Sequence, residues 1–89
     1  MITDVSLDSL QVDEWIDAQG LNCPLPILRT KKALAKLASG QVLAVVTTDP
    51  HAVADFQAFC RQTGNALLAQ NRHSDAASDL AMVHYIRRR

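Results

Sequence analysis

The sequence lacks three features that would place a protein in a membrane or outside the cell. Its longest unbroken apolar run is the five residues from Val42 to Val46, whereas a membrane-spanning helix needs roughly 18–20. The first 22 residues hold five acidic residues and no Lys or Arg, and a secretory signal peptide begins with positive charge. Two cysteines in 89 residues do not make the disulfide framework of a small secreted domain. We therefore expect a cytoplasmic protein with reduced thiols.

Glycine, histidine and aromatic residues are also sparse, and their spacing argues against several kinds of site. The three glycines are far apart, so there is no glycine-rich phosphate loop. The three histidines and two cysteines do not have the spacing of zinc ligands. The few aromatic residues are interpreted mostly as core, and Trp15 as strand packing, which leaves no platform for stacking bases. We expect no metal, no cofactor and no direct nucleic-acid binding.

Positive and negative charges balance in number but are segregated along the chain. Nine Lys and Arg balance nine Asp and Glu, which argues against a protein that holds nucleic acid by bulk charge. The first 22 residues are acidic, the segment 29–36 carries only basic charges, and the sequence ends in three arginines. Segregated charges of this kind can steer partner proteins even at zero net charge. Alternatively, they belong to a solvated helix face and a frayed tail. Both interpretations stay open.

Apolar periodicity and turn residues predict the order strand–helix–strand–helix–strand–strand. We interpret residues 1–13 as a loose acidic leader, 14–86 as a single domain and 87–89 as a basic tail. Asp49 is assigned as the N-cap of the second helix, and Gly64 as its C-terminal signal. The predicted elements are a strand at 15–18, a helix from Pro24 to Leu37, a strand at 42–48, a helix from Pro50 to Gln62, a strand at 65–70, a loop at 71–78 and a strand at 80–86.

This order predicts an α/β (α+β) two-layer sandwich with a mixed four-stranded sheet. A strand–helix–strand unit normally makes a right-handed parallel crossover, and a final pair of strands joined by a loop is normally antiparallel. Two helices do not cover both faces of such a sheet, so both are expected on one face. On a helical wheel the first helix has an apolar half that includes Leu28 and Ala35, with Lys31 inside it. Its basic residues cluster on the opposite side, namely Arg29, Lys32 and Lys36.

The segment Cys23-Pro24-Leu25-Pro26 occupies the junction between the first strand and the first helix. Because proline is favoured at the first helical position, Pro24 there makes Cys23 the N-cap residue. A thiolate at that position feels the positive end of the helix dipole and can accept a hydrogen bond from the Leu25 amide. This predicts a pKa for Cys23 below its ordinary value and a reactive thiol. The alternative is a cysteine that merely occupies the cap site, since cysteine is not a favoured cap residue.

The motif differs from a Cys-x-x-Cys redox pair because a proline stands at position 26. No neighbouring thiol can resolve a disulfide, so a persulfide on Cys23 would survive until another protein attacked it, which indicates sulfur carrying. Cys60, on the apolar side of the second helix, is interpreted as buried and inert, and a redox partner for Cys23 is the sharper alternative. Asp49 and Asp55 could form an acid–base pair. Asp49 is explained as a cap, however, and Asp55 as a polar position facing solvent or the first helix.

The segment Asp17-Ala18-Gln19-Gly20-Leu21-Asn22-Cys23-Pro24-Leu25-Pro26 strongly resembles the signature of the TusA-like (SirA-like) sulfur carrier family. The resemblance covers about residues 14–86. It continues through the segments 30–34, 39–41 and 48–50, at Asp55, and at Phe59-Cys60.

The resemblance implies a small cytosolic carrier with a βαβαββ two-layer fold. Its Cys23 would accept sulfur as a persulfide, with Pro24 and Pro26 as a rigid frame. The donor would be a cysteine desulfurase or another sulfurtransferase. The acceptor would be a protein of tRNA thiolation, molybdenum cofactor synthesis or a related pathway. Such a protein takes part in a relay and is not a stand-alone enzyme.

Two expectations concern the surface. We expect partners to dock over the start of the first helix, with attraction from Arg29, Lys32 and Lys36. The alternative is a non-catalytic regulatory or RNA-binding module that uses the basic face of that helix and the C-terminal arginines. This second hypothesis rests on fold analogy.

Overall fold

The computed structural model describes residues 11–73 and 80–89. The described residues form strands and helices in the predicted order, and we label them along the chain. The elements are β1 (Glu14–Ala18), α1 (Leu25–Lys36), β2 (Val42–Thr47), α2 (Ala52–Thr63), β3 (Ala66–Arg72) and β4 (Met82–Arg87). Most of the predicted leader (1–10) and of the predicted loop (74–78) lies outside the described residues, whereas Asn71 and Arg72 belong to β3.

The four strands form one mixed sheet in the order β1-β2-β4-β3. β1 pairs with β2 in parallel, while β4 pairs with both β2 and β3 in the antiparallel sense. The predicted α+β sandwich with both helices on one face is confirmed, because one core cluster joins the helices to that face of the sheet. Since β1 and β2 are parallel neighbours, the loops that follow them leave the sheet at the same end.

β2 lies in the centre of the sheet and is buried along its whole length. Its alternate side chains point to opposite faces. Leu43 and Val45 pack in the cluster that includes Leu34 and Phe56, whereas Ala44 and Val46 belong to a smaller cluster on the other face. Burying each large apolar side chain stabilises the fold by about 1.5–3 kcal/mol. The continuous apolar run of β2 is thus explained by burial on both faces.

The buried side of α1 is narrower than its helical wheel predicts. Its buried residues are Pro26, Thr30, Ala33 and Leu34. Leu28 is 47% exposed, and Ala35 is also exposed, so their placement in the buried half was wrong. Thr30 can lie in the core because its hydroxyl donates to the Pro26 carbonyl at 2.8 Å, a partner that a wheel of apolar positions does not count.

α2 ends as its sequence predicts. Gly64 adopts the left-handed conformation with φ of 81°, and its N–H donates to the Cys60 carbonyl at 2.9 Å. That conformation is accessible to glycine without a Cβ penalty. Neither of the two helices in the described ranges is long and apolar enough to cross a membrane.

Two ring side chains have environments that the sequence did not predict. His84 is fully buried on the helix side of β4 and stacks on Phe56, with ring centroids 4.3 Å apart. Trp15 is 54% exposed and meets Tyr85 edge-on at 6.2 Å, so it packs against a side chain of the sheet as interpreted but does not lie in the core. Trp15 projects from an edge strand on the side away from the helices, where few neighbours can cover so large a ring.

The C-terminal arginines are held by the rest of the chain. Arg87 lies within β4, and the Arg88 Nε donates to the Leu34 carbonyl at the end of α1, at 2.8 Å. The backbone N–H of Arg89 donates to the Asn65 side chain at 2.8 Å. With these contacts, the C-terminal arginines do not form a frayed tail. Cations beside the carbonyl end of a helix are also electrostatically favoured.

Candidate functional site around Cys23

Two loops meet beyond the carboxyl ends of β1 and β2. One leads from β1 to α1 and contains Cys23, and the other leads from β2 to α2 and contains Asp49. The Gly20 N–H of the first loop donates to the Thr48 hydroxyl of the second at 2.9 Å. The Cys23 N–H donates to Asp49 Oδ2 at 2.7 Å. A charge-assisted bond of that length holds the cysteine backbone against the second loop.

Cys23 precedes the N-cap of α1, so its assignment as the N-cap was wrong. The helix begins at Leu25, Pro24 is the N-cap residue, and the Cys23–Pro24 peptide is cis. The Leu25 N–H, expected to reach the sulfur, instead donates to the Asn22 carbonyl at 2.8 Å. Since Pro26 has no N–H, neither nearby amide stabilises a thiolate. The Cys23 side chain is exposed.

Asp49 links the two loops, and although the N-cap position of α2 falls at His51, the Asp49 side chain makes the kind of contact that the sequence predicts for a helix cap. The N-cap residue of α2 is His51, and it makes no side-chain capping bond. The Asp49 side chain is only 6% exposed. Its Oδ1 accepts from the His51 N–H at 3.0 Å and lies 3.1 Å from His51 Nδ1. The N–H groups of His51 and Cys23 lower the pKa of Asp49, so this carboxylate stays ionised.

The Cys23 thiol is held in its protonated form, contrary to the expected fall in its pKa. The nearby Asp55 carboxylate raises the pKa of Cys23, because its interaction with the sulfur favours the protonated thiol. Partial desolvation and the negative charges of Asp55 and Asp49 act in the same direction. Two carboxylates therefore act on this sulfur in the direction opposite to the one expected from the dipole of α1.

Asp55 is a site residue that the sequence analysis weighed in an acid–base pair but did not assign to the Cys23 thiol. It lies in the first turn of α2, and α2 starts where the loop after β2 meets the loop of Cys23. A usable signal was available, because parallel pairing of β1 and β2 brings the first turns of both following helices to one end of the sheet. The two aspartates, weighed as an acid–base pair, act here on the thiol and on the Cys23 backbone.

The two prolines of the motif have different environments. Pro24 is exposed beside the cysteine, whereas Pro26 is buried in the first turn of α1. The Pro26 carbonyl accepts the Thr30 hydroxyl inside the core. Pro26 therefore lies between Cys23 and the helix–sheet interface.

The surface beside Cys23 combines apolar and basic side chains. Leu25 and Leu28 are each 47% exposed, one turn apart at the start of α1. Arg29, Lys32 and Lys36 lie together on the flank of α1 that faces β1. The structure thus places the three basic residues on one continuous side of α1, the helix that follows Cys23.

Cys60 lies outside this site. Its side chain is buried, it is not disulfide-bonded, and burial raises its pKa to about 11. A thiol so placed is a poor nucleophile at neutral pH. Within residues 11–73 and 80–89, no three His, Cys, Asp or Glu side chains converge as metal ligands do.

Comparison with known proteins identifies the family. The profile of the family described as Sulfurtransferase TusA matches residues 14–81. The chain belongs to the TusA family. It is 62% identical over 71 residues to a putative sulfur carrier protein of Neisseria meningitidis serogroup A, covering 80% of this chain and 95% of the relative. It is also 62% identical over 56 residues to the sulfur carrier protein TusA of Allochromatium vinosum, covering 63% of this chain and 74% of the relative.

A solved structure supports the same assignment. The crystal structure of a SirA-like protein from Desulfitobacterium hafniense superposes with a TM-score of 0.70 at 27% identity, covering 83% of this chain and 95% of that one. Membership of the TusA family, with relatives named as sulfur carriers, supports a sulfur carrier role for this chain.

Proposed function

We propose that this TusA-family protein accepts a persulfide sulfur on Cys23 and passes it to an acceptor protein. The donor in this proposal is a cysteine desulfurase or another sulfurtransferase, and the acceptor belongs to tRNA thiolation, molybdenum cofactor synthesis or a related pathway. The observation that carries the proposal is the exposed Cys23 thiol at the start of α1, with its backbone anchored to Asp49. Cys60 is buried away from solvent and partners.

The transfer step balances without an added oxidant. The Cys23 sulfur attacks the terminal sulfur of a donor persulfide, a new S–S bond forms, and the S–S bond of the donor breaks. The donor cysteine leaves as a thiolate, and the proton lost by Cys23 goes to that thiolate or to water. Delivery to the acceptor repeats the exchange in the opposite sense. Since no second thiol follows at position 26, the persulfide waits for a partner.

Asp55 controls when the thiol becomes a nucleophile in this proposal. With the pKa of Cys23 raised by the carboxylates, the free carrier holds mostly the unreactive thiol. A partner that brings a cationic group close to Asp55 would weaken its hold on the proton. The sulfur would then become reactive inside the complex, which limits side reactions of the free protein.

In this proposal a partner docks over the start of α1 and contacts both its exposed leucines and its basic residues. Leu25 and Leu28 offer an apolar contact around the sulfur, while Arg29, Lys32 and Lys36 attract an acidic partner surface. A carrier must leave each partner quickly, so a small apolar contact with exposed charges around it is suitable. The C-terminal arginines, on which the RNA-binding alternative relies, are partly engaged by Leu34 and Asn65.

Mass spectrometry after incubation with a cysteine desulfurase and cysteine tests the proposal. Wild type and Cys60→Ala should gain one sulfur, about 32 Da. Cys23→Ala should gain none and remain folded, because the Cys23 side chain is exposed and its bond to Asp49 uses the backbone N–H. Reduction should remove the adduct. An adduct that persisted in Cys23→Ala and vanished in Cys60→Ala would overturn the assignment.

A further inference from the structure

Among the described residues, the outer edge of β1 and the basic flank of α1 form one groove. Among the described strands, β1 pairs with β2 alone and is an edge of the sheet. Glu14, Trp15 and Asp17 on it are exposed. A groove of about 340 Å³ runs between this edge and α1, and it is lined by Glu14, Ile16, Arg29, Lys32, Ala33 and Lys36. An edge strand presents backbone N–H and C=O groups that can pair with another chain.

We propose that this groove binds an extended acidic segment of a partner protein, which adds to the sheet as a strand beside β1. The backbone of the segment would pair with the β1 edge, and its acidic side chains would meet the basic flank of α1. Strand addition gains affinity from main-chain hydrogen bonds and specificity from alternate side chains. This proposal rests on the proposed carrier function, because it names the chemistry of a docking partner.

The spacing of the cations fits alternate positions of a strand. Along a helix axis, Arg29 to Lys36 spans seven residues, or about 10.5 Å. Residues on one face of a strand lie about 6.6–6.8 Å apart, so three alternate acids span about 13 Å. Flexible Lys and Arg side chains cover the difference. The preferred segment is therefore acid-x-acid-x-acid, with apolar or β-branched residues between the acids.

The charge in the groove has no partner within the part of the chain that the structure describes. There, the only ion pair within salt-bridge distance joins His51 and Asp49 at 3.1 Å, so the three cations keep their charges available. Glu14 is the one acid lining the groove. Three cations against one carboxylate leave the groove with a net positive charge, which favours an acidic segment as its occupant.

Three seven-residue peptides, capped at both ends, provide the test on the full-length protein. The first is Thr-Asp-Val-Asp-Val-Asp-Thr, the second replaces each Asp by Asn, and the third replaces each Val by Pro. The third keeps the charge but loses two of the N–H groups that a ladder requires. Titrations at low and physiological salt are followed by amide NMR shifts, by hydrogen exchange of 14–18 and by the fluorescence of Trp15.

The first peptide should bind at least about tenfold more tightly than either control and should protect amides of β1. Equal binding of the proline peptide would overturn strand addition, and equal binding of the Asn peptide would overturn the role of the cations. Shifts confined to the other edge strand, β3, or no binding by the first peptide would overturn the proposal as a whole.

Matched variants locate the site. Lys32→Glu/Lys36→Glu should abolish binding of the acidic peptide, whereas Lys31→Glu/Arg61→Glu, with the same change in net charge outside the groove, should retain it. Glu14→Gln should tighten binding. Equal loss in both double variants would overturn the proposal. Peptide binding does not involve the Cys23 sulfur, so failure of sulfur acceptance and failure of this groove are separate results.

Discussion

At the scale of single residues, the environment of one sulfur decides how this carrier behaves. Cys23 stands next to the start of α1, where the helix dipole favours a thiolate. Asp55 and Asp49 oppose it, and the balance leaves the pKa of Cys23 raised. The dipole is equivalent to about half a charge, whereas each carboxylate carries a full one, and Asp55 is the largest cause of the raised pKa.

Replacing Asp55 by Asn should lower the pKa of Cys23 and increase the thiolate fraction near neutral pH. The change removes the strongest cause of the raised pKa together with its negative charge. The rate of alkylation by iodoacetamide is measured from pH 6 to 10 in a Cys60→Ala background. It should begin to rise at a lower pH in the Asp55→Asn variant than in the parent protein.

Asp17→Asn is the matched control, because Asp17 lies on β1 and is not among the groups that act on this thiol. Its alkylation profile should match that of the parent protein. An unchanged or higher pKa in Asp55→Asn would contradict the role given to this carboxylate.

At the scale of secondary-structure elements, a buried polar network ties the sheet to α2. Gln70 Nε2 on β3 donates to the Val53 carbonyl at 3.0 Å and lies 3.1 Å from His84 Nδ1. His84 Nε2 lies 2.7 Å from the hydroxyl of Thr47, the last residue of β2. Because the Gln70 amide is a donor, His84 Nδ1 accepts and Nε2 carries the proton. The network holds the end of β2 from which the Asp49 loop departs.

This network should make the fold sensitive to mild acid. Burial lowers the pKa of His84 to about 4, against 6.5 in the unfolded chain, so the unfolded state takes up the proton first. Stability is therefore fully present above pH 6.5 and should decrease by about 3 kcal/mol as the pH falls to 4. Urea unfolding followed by Trp15 fluorescence at several pH values measures this decrease.

His84→Gln keeps polar atoms near Gln70 and Thr47 but does not titrate, so its stability should depend less on pH between 6.5 and 4. Its stability at pH 7 should be lower, because the stacking on Phe56 is weakened. Because the pKa of Asp49 is lowered, protonation of Asp49 affects stability only at pH values below this range. If the free energy of unfolding fell equally steeply with pH in the variant and in wild type, another group would be responsible for the acid sensitivity.

At the scale of the whole molecule, a neutral protein presents locally charged surfaces to its partners. The total charge is zero, yet the basic flank lies on the helix that follows Cys23. One exposed ion pair contributes only about 0.2–1 kcal/mol. Three similar charges on one side of a helix act mainly on the rate of encounter.

Reversing all three, as Arg29→Glu/Lys32→Glu/Lys36→Glu, should slow association with a persulfidated desulfurase by about tenfold at low salt. Dissociation should change less, because exposed charges affect mainly the on-rate. The wild-type rate should fall as salt is added, whereas the variant's rate should rise, because salt screens the repulsion between its acidic flank and an acidic partner. Stopped-flow transfer measured over a range of ionic strength provides both comparisons.

The control variant Lys31→Glu/Arg61→Glu/Arg87→Glu has the same net charge and leaves the basic flank intact. It should transfer sulfur at nearly the wild-type rate. If both triple variants were slowed equally, net charge would be responsible, and the position of the cations beside Cys23 would not matter.

Local patterns in the sequence were sufficient for the order of elements, the mixed sheet and the end of α2 at Gly64. Each depends on residues close together in the chain, such as the apolar run of β2. The Cys-Pro-Leu-Pro segment likewise marks Cys23 as the candidate, because the motif and the residues that lead into it are contiguous and resemble the TusA-like signature without any tertiary contact.

Tertiary structure alone decided the state of the site and the exposure of the rings. Cys23 and Asp49 are 26 residues apart in the chain, and parallel pairing of β1 with β2 brings them together. The direction of the Cys23 pKa depends on that contact and on Asp55, so reasoning from one helix end gave the wrong sign. The partners of His84 and the open side of Trp15 likewise come from neighbouring strands. Periodicity says which face a side chain takes, and only the assembled sheet determines what it meets there.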